Sequence, residues 1–172
     1  MSKQTFEKHP HSRQIIRFQD CDPLGHLNNS KYIDYFMNAR EDHLRENYDM
    51  DIYELSKDAG YGWVVMQNQI AYLKPANLNE KVVIESMLIY FDTFSVIVEM
   101  KMWNEGRDQL KSVFWSKLVA IDIRKGKKTP IPKEYYLLED IVVPVDVSKG
   151  FDRRLEEIFA HLKANSNGKF TG

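Results

Sequence analysis

The sequence predicts an α+β fold in which an antiparallel sheet curls around one long helix. Three observations carry this. A stripe of apolar residues at helical spacing runs from Ile33 to Leu44. Four runs with a period of two then fill residues 64–123, and the connections between the later runs are only a few residues long. Long helix first, strand meander second, is the element order of an α+β chain, and short connections favour antiparallel neighbours.

Each element has its own signal. "QIIRFQD" (14–20), rich in branched and aromatic residues, predicts a first strand. From Ser30 the period changes: Ile33, Phe36, Met37, Arg40 and Leu44 share a stripe, with Tyr32, Ala39 and His43 beside it. A helix from about Lys31 to Tyr48 follows, with Asn29 or Ser30 as its cap and Asp34 near the positive end of its dipole. Asp51 stands three residues before Glu54, a capping-box arrangement, and Gly60 stops this short second helix. Val64, Met66, Ile70 and Tyr72 are expected on one face of the next strand, interrupted by Asn68. "KVVIESMLIYF" is apolar on both faces. "SVIVEMKMWN" sets Val96, Val98, Met100 and Met102 on one side against Glu99 and Lys101 on the other, and "LKSVFWSKLVAIDI" is the fourth long strand.

A curled sheet leaves edges, and strands as long and apolar as 110–123 are poor bare edges, so pairing of sheet edges between two copies is expected. Phe151, Leu155, Ile158 and Leu162 predict a closing amphipathic helix, and "NSNGKFTG" a loose tail. The 172 residues fit a single domain with a C-terminal extension from about residue 137.

A formal net charge of −1 supplies no long-range attraction for nucleic acid or an anionic membrane, so neither partner is expected. The single cysteine, Cys21, rules out an internal disulfide and every multi-cysteine zinc pattern. The first residues lack a signal-peptide core, and no apolar run is long enough to span a bilayer. A cytoplasmic protein is the expectation.

The most unusual stretch is "FQDCDPLGHLNNSKYIDYF", where two aspartates, a histidine and two asparagines crowd the join between a strand and a helix. Singly, each has an ordinary reading. Asp22-Pro23 with Gly25 signals a turn, Asn28-Asn29 can cap a helix, and Cys21 reads as a small buried hydrophobe. Asp20, Asp22 and His26 begin a metal set, but no HxH or HxxE pattern elsewhere completes it, so no metal is expected. Together they describe something else. A carboxylate at a strand end, beside a glycine loop and before a buried helix, sits where unpaired backbone N–H groups can hold an oxyanion. That arrangement suits acyl chemistry.

"DCDPLGHLNNSKYIDYFMNARE" closely resembles the D-x-D-x-x-G-H-[VL]-N-N-x-x-Y signature of the 4-hydroxybenzoyl-CoA thioesterase-like branch of the hotdog-fold superfamily, down to the closing Ala39-Arg40 pair. "IAYLKPANLNEKVVIE" is similar to that family's Y-x-x-P strand and turn, and "TPIPKEY" to the usual end of its last strand. The resemblance implies a sheet wrapped around a central helix, two subunits joined into a continuous sheet, and an active site at their interface. It implies that Asp22 is the catalytic carboxylate, as general base or nucleophile, and makes His26 a second catalytic candidate. Gly25 would let the backbone approach the substrate, while Asn28, Asn29 and Tyr32 would build the loop and line the pocket. Tyr72, Phe91 and Phe94 are candidates for an acyl tunnel, against an ordinary core role. For coenzyme A phosphates the candidates are the basic turn with Arg124, Lys125, Lys127 and Lys128, then Lys74, against a merely solvated turn. Gln19 departs from the family's usual aromatic or small residue.

The expectation is therefore an acyl-CoA thioesterase, working as a homodimer or tetramer without metal or redox cofactor. Two alternatives stand beside it: hydrolysis of an acyl-ACP thioester, and non-catalytic binding of acyl-CoA by a hotdog protein.

Overall fold

The computed structural model describes residues 6–167. In chain order the elements are β1 (His11–Ile15), α1 (Tyr32–Tyr48), α2 (Ile52–Ala59), β2 (Tyr61–Tyr72), β3 (Lys81–Phe91), β4 (Ser95–Asn104), β5 (Leu110–Asp122), β6 (Lys127–Lys128), α3 (Leu137–Asp140) and α4 (Gly150–Asn167). One antiparallel sheet runs in the order β1-β3-β4-β5-β2, with β6 paired to the end of β5. It curls around α1, the hotdog arrangement, and the class is α+β as the sequence predicts.

The helix forms where the stripe predicts it, and that stripe fills the concave face. Tyr32, Phe36, Ala39 and Leu44 are buried against Val82, Ile84 and Leu88 of β3, Val96, Val98 and Met100 of β4, and Phe114 of β5. Phe36 stacks on Phe114 with ring centroids 5.3 Å apart. The convex face holds a second core: Val83, Met87, Ile89, Trp103, Val113 and Trp115 meet Phe151 and Ile158 of α4. Covering on both faces explains why β3 carries apolar residues on both of its faces. It also explains the fate of the polar side of β4. Glu99 is fully buried under α4, where both its oxygens accept from Arg154, at 2.8 and 3.0 Å.

Four local expectations are corrected. The first strand is β1, three to five residues earlier than predicted, and Phe18–Asp20 form a single 3₁₀ turn. The N-cap of α1 is Lys31, later than predicted and without a side-chain cap bond, so neither Asn29 nor Ser30 caps the helix; the Asn28 side chain accepts from the backbone N–H and hydroxyl of Ser30 in the turn before it. In β2 a bulge at Met66 shifts the phase, so Val64 pairs with Val119 while Ile70 and Tyr72 pair with Phe114 and Ser112 on the opposite face. Finally, 110–123 is not the vulnerable edge, since β5 lies between β4 and β2. The long bare edge is β2, with 12 residues, no charge and no proline, and with Val65 and Met66 43% and 70% exposed.

Asp51 accepts from the backbone N–H groups of Tyr53 and Glu54, and Gly60 closes α2 at φ 72°, both as predicted. α4 continues to Asn167, into the segment predicted as tail, whose last five residues lie outside the described range.

Candidate active site

Two sequence-distant segments build the site. The loop from Phe18 to Lys31 lies against the turn that follows β2, stitched by backbone bonds from Leu27 N to Ala76 O (2.8 Å) and from Leu78 N to Gly25 O (2.8 Å). Lys111, 2% exposed, holds that turn from beneath. Its ammonium donates to Pro75 O and Glu80 Oε1, both at 2.8 Å, and to Gln109 Oε1 at 3.2 Å. Only its being a lysine in an apolar strand marks it in the sequence. Gly25 occupies the left-handed region at φ 76°, which a Cβ would strain although nothing lies within 4 Å of it.

The two aspartates take different parts. Asp20 is tied down: the Tyr35 hydroxyl donates to its Oδ2 at 2.9 Å, and the same oxygen of Tyr35 accepts from Arg17 N. Asp22 is held on one side only. Its Oδ1 accepts from the backbone N–H groups of Leu24 (2.9 Å) and His26 (3.0 Å), while Oδ2 has no hydrogen bond among the described residues. The carboxylate is thus oriented, with one oxygen free to act.

Asp22 borders a polar cleft of about 240 Å³ together with His26, Asn29, Tyr32, Tyr72 and Lys74. Tyr32 accepts from Ala76 N at 3.2 Å, and its ring meets Tyr72 edge-on at 5.1 Å. The Tyr72 hydroxyl donates to Asn29 O at 2.9 Å. Burial raises the pKa of both tyrosines, so their hydroxyls remain protonated donors near neutral pH. The backbone N–H of Asn29 donates to nothing among the described residues.

Of the predicted site residues, the cleft therefore collects Asp22, His26, Asn29, Tyr32, Tyr72 and Lys74. Gly25 and Asn28 shape the loop behind it. Arg124 and Lys127 are not there. Tyr61 of β2 pairs with Asp122 and Tyr72 with Ser112, so the basic turn and the cleft occupy opposite ends of one ladder, about 35 Å apart at ~3.3 Å per residue. Phe91 and Phe94 also lie elsewhere, Phe91 against Tyr136 and Phe94 beneath the Lys128 ammonium. Cys21 is partly buried, its thiol donating to Arg17 O. Among the described residues no three His, Cys, Asp or Glu side chains converge as a metal set.

Residues 16–142 match the model of the Thioesterase-like superfamily. The chain belongs to that superfamily. Its chemistry is thioester hydrolysis on the hotdog fold, in keeping with the signature between Asp20 and Tyr32. Among solved structures, it is similar to Slr0204, a 1,4-dihydroxy-2-naphthoyl-CoA thioesterase from Synechocystis (TM-score 0.70, 13% identity, covering 76% of this chain and 94% of that one). The DHNA-CoA thioesterase of Staphylococcus aureus gives a TM-score of 0.66 at 17% identity, covering 95% of this chain and 97% of that one. SAV2348 of Staphylococcus aureus, solved in complex with CoA, gives 0.70 at 12% identity over 80% of this chain and 85% of that one. At these identities the likeness is one of fold. A comparison with curated protein sequences finds no match. No helix among the described residues is long and apolar enough to cross a membrane.

Proposed function

We propose that this thioesterase hydrolyses an acyl-CoA to a free acid and CoA at Asp22. The observation that carries the proposal is the half-anchored carboxylate: Oδ1 fixed by two backbone amides and Oδ2 unbonded, at the wall of a polar cleft. Oxygen from water ends on the acyl carbon, the C–S bond breaks, and the thiolate takes up the proton. Asp22 serves either as the base that deprotonates the water or as the nucleophile whose anhydride water then cleaves. The Asn29 N–H, unpaired among the described residues, is a donor for the carbonyl oxygen as charge develops on it. His26 borders the same cleft and is the second candidate for direct contact with substrate.

Two copies are needed to complete the site. Antiparallel pairing of two bare β2 edges sets the Tyr61 end of one subunit beside the Tyr72 end of the other. Arg124 and Lys127 of a partner then approach the cleft they cannot reach within their own chain, and with Lys74 they supply cations for the CoA phosphates. The CoA held by SAV2348 supports a CoA ester over other thioesters.

CoA release is followed with a thiol reagent across short, long and aromatic acyl-CoAs, wild type beside Asp22→Asn. The expected result is turnover that falls at least ~10²-fold in the variant while CoA-ester binding persists. Equal turnover in the two proteins would remove Asp22 from the chemistry. Silence of the wild type across the panel, with esters still bound, would favour a carrier-protein thioester or a non-catalytic binder.

A further inference from the structure

We infer that the acyl group of the natural substrate carries an oxygen function away from its thioester carbon, received by a second cavity in which two buried hydroxyls have no partner among the described residues. This inference rests on the thioester reading above and names the class of acyl group.

The cavity, about 80 Å³, lies between α1 and the concave face of the sheet. Its walls are apolar, with Met37 and Leu44 from α1, Val98 and Met100 from β4, Leu118 from β5 and Trp63 from β2 among them. Four polar side chains interrupt this lining: Arg40, Glu41, Ser116 and Tyr135. The Glu41 carboxylate is already engaged, accepting from the Tyr53 hydroxyl at 2.9 Å and from Arg45 at 3.3 Å. Ser116 and Tyr135 are each 1% exposed, and neither hydroxyl has a hydrogen-bond partner among the described residues. Burying a hydroxyl without a partner destabilises the fold, and alanine or phenylalanine would fill the same space without that loss. Two such groups in one cavity are a reason to look for a ligand.

Arg40 points the same way. It is 7% exposed, donates to Ser86 Oγ at 3.2 Å and lies beside the Tyr48 hydroxyl. No carboxylate of the described residues lies within 4 Å of its guanidinium, although every other buried cation here has one: Lys111 has Glu80. A guanidinium stays charged even when burial lowers its pKa, and a buried charge without a counter-ion is costly. Three donors around an apolar space fit an acyl group whose body is hydrocarbon and whose substituent accepts hydrogen bonds. The charge of Arg40 favours a carboxylate.

Access follows from the paired edges. Within one chain the Phe36–Phe114 stack lies between the Tyr32 end of α1, at the cleft, and the Arg40 end, at the cavity. The cavity instead reaches the β2 edge at Trp63, the end that antiparallel pairing brings beside the partner's cleft. A thioester at Asp22 of one subunit thus directs its acyl group past Trp63 into the cavity of the other.

The test compares hexanoyl-CoA, ω-hydroxyhexanoyl-CoA and adipoyl-CoA, equal in carbon count and differing only at the far end. Binding is measured by calorimetry on the Asp22→Asn protein and turnover on the wild type. An oxygenated ester is expected to exceed hexanoyl-CoA by about tenfold or more in affinity and in kcat/KM, with adipoyl-CoA first. Tyr135→Phe and Ser116→Ala, which remove the hydroxyls and keep the packing volume, should bring these ratios towards one, with folding checked by circular dichroism. Hexanoyl-CoA bound as tightly as both oxygenated esters, or ratios unchanged in both variants, would overturn the inference. Absence of turnover on all three esters, with the binding preference intact, would sink the hydrolase reading and leave the cavity assignment standing.

Discussion

Asp20 and Asp22 are two residues apart and chemically identical, and their hydrogen bonds alone separate a strut from a carboxylate with one oxygen unbonded among the described residues. The motif was legible in the sequence, but its division of labour was not, because Tyr35 of α1 and the loop amides come together only in three dimensions. The same holds for Arg40, His43 and Ser86. The periodicity placed Arg40 within the helix's stripe and His43 beside it, yet only the fold sets Ser86 Oγ between the His43 Nδ1, at 2.8 Å, and the Arg40 guanidinium. His43 Nε2 meets Ser12 Oγ at 3.0 Å, so both ring nitrogens are engaged by hydroxyls that suit a neutral imidazole. Burial, the Arg40 charge and nearby His11 bring its pKa from 6.5 to about 4. The unfolded chain therefore takes up a proton near pH 6.5 that the folded chain refuses until about pH 4. This stabilisation is whole above pH 6.5, is lost as pH falls towards 4, and is flat below that. Urea unfolding at pH 7 and at pH 4.5 should show wild type losing about 2 kcal/mol more than His43→Gln across that interval. Equal losses in the two proteins would mean that His43 is protonated in the native state.

α4 shows what an element contributes beyond its apolar stripe. Its signal, Phe151, Leu155, Ile158 and Leu162, was plain in the sequence, and so was the alternation of β4. What they meet was not: nothing local says that Arg154 closes over Glu99. Burial pushes the Glu99 pKa up, but the Arg154 hydrogen bonds, the Lys101 charge and the Trp115 indole N–H bring it below its ordinary value. Glu99 thus stays charged, itself fully buried beneath partly exposed Arg154 and Lys101. Removing Arg154 as Arg154→Met leaves that carboxylate without its bidentate partner and should cost about 3 kcal/mol, read from chemical denaturation. Restoring neutrality with Glu99→Gln in the same protein should recover part of the loss. If Arg154→Met proves as stable as wild type, α4 is held by its apolar contacts alone. The elements most easily misread were those where a short irregularity changes phase. The bulge at Met66 moves Val64 to the other face of β2, and the chain turns into a 3₁₀ segment where "RFQD" looked extended. Period-two patterns assume unbroken pairing, and a one-residue insertion inverts them.

At the scale of the molecule the sheet is asymmetric in how its two edges are protected. β1 is five residues long and carries His11 and Arg13, the short and charged edge that resists adding strands. β2 has neither device. Its 12 residues expose Val64, Val65 and Met66 along an unpaired row of backbone groups, on the edge where the Asp22 cleft and the apolar cavity sit at opposite ends. A lone chain would present an aggregation-prone edge and two halves of a site. A two-fold pairing of β2 edges covers the first and joins the second. The convex face is already occupied by α4. Replacing Val65 with Lys and Met66 with Glu puts charge on the edge without touching either core, because both side chains are exposed. Sedimentation velocity at micromolar protein should give twice the chain mass for wild type and the chain mass for the double variant. CoA release should fall with the dimer, at least ~10-fold, although Asp22 and its two backbone donors are untouched, since each cleft would lose the partner's cavity and basic turn. Full activity in a monomer would show that one chain makes the whole site, and the acyl group would then have to pass the Phe36–Phe114 stack to reach Arg40.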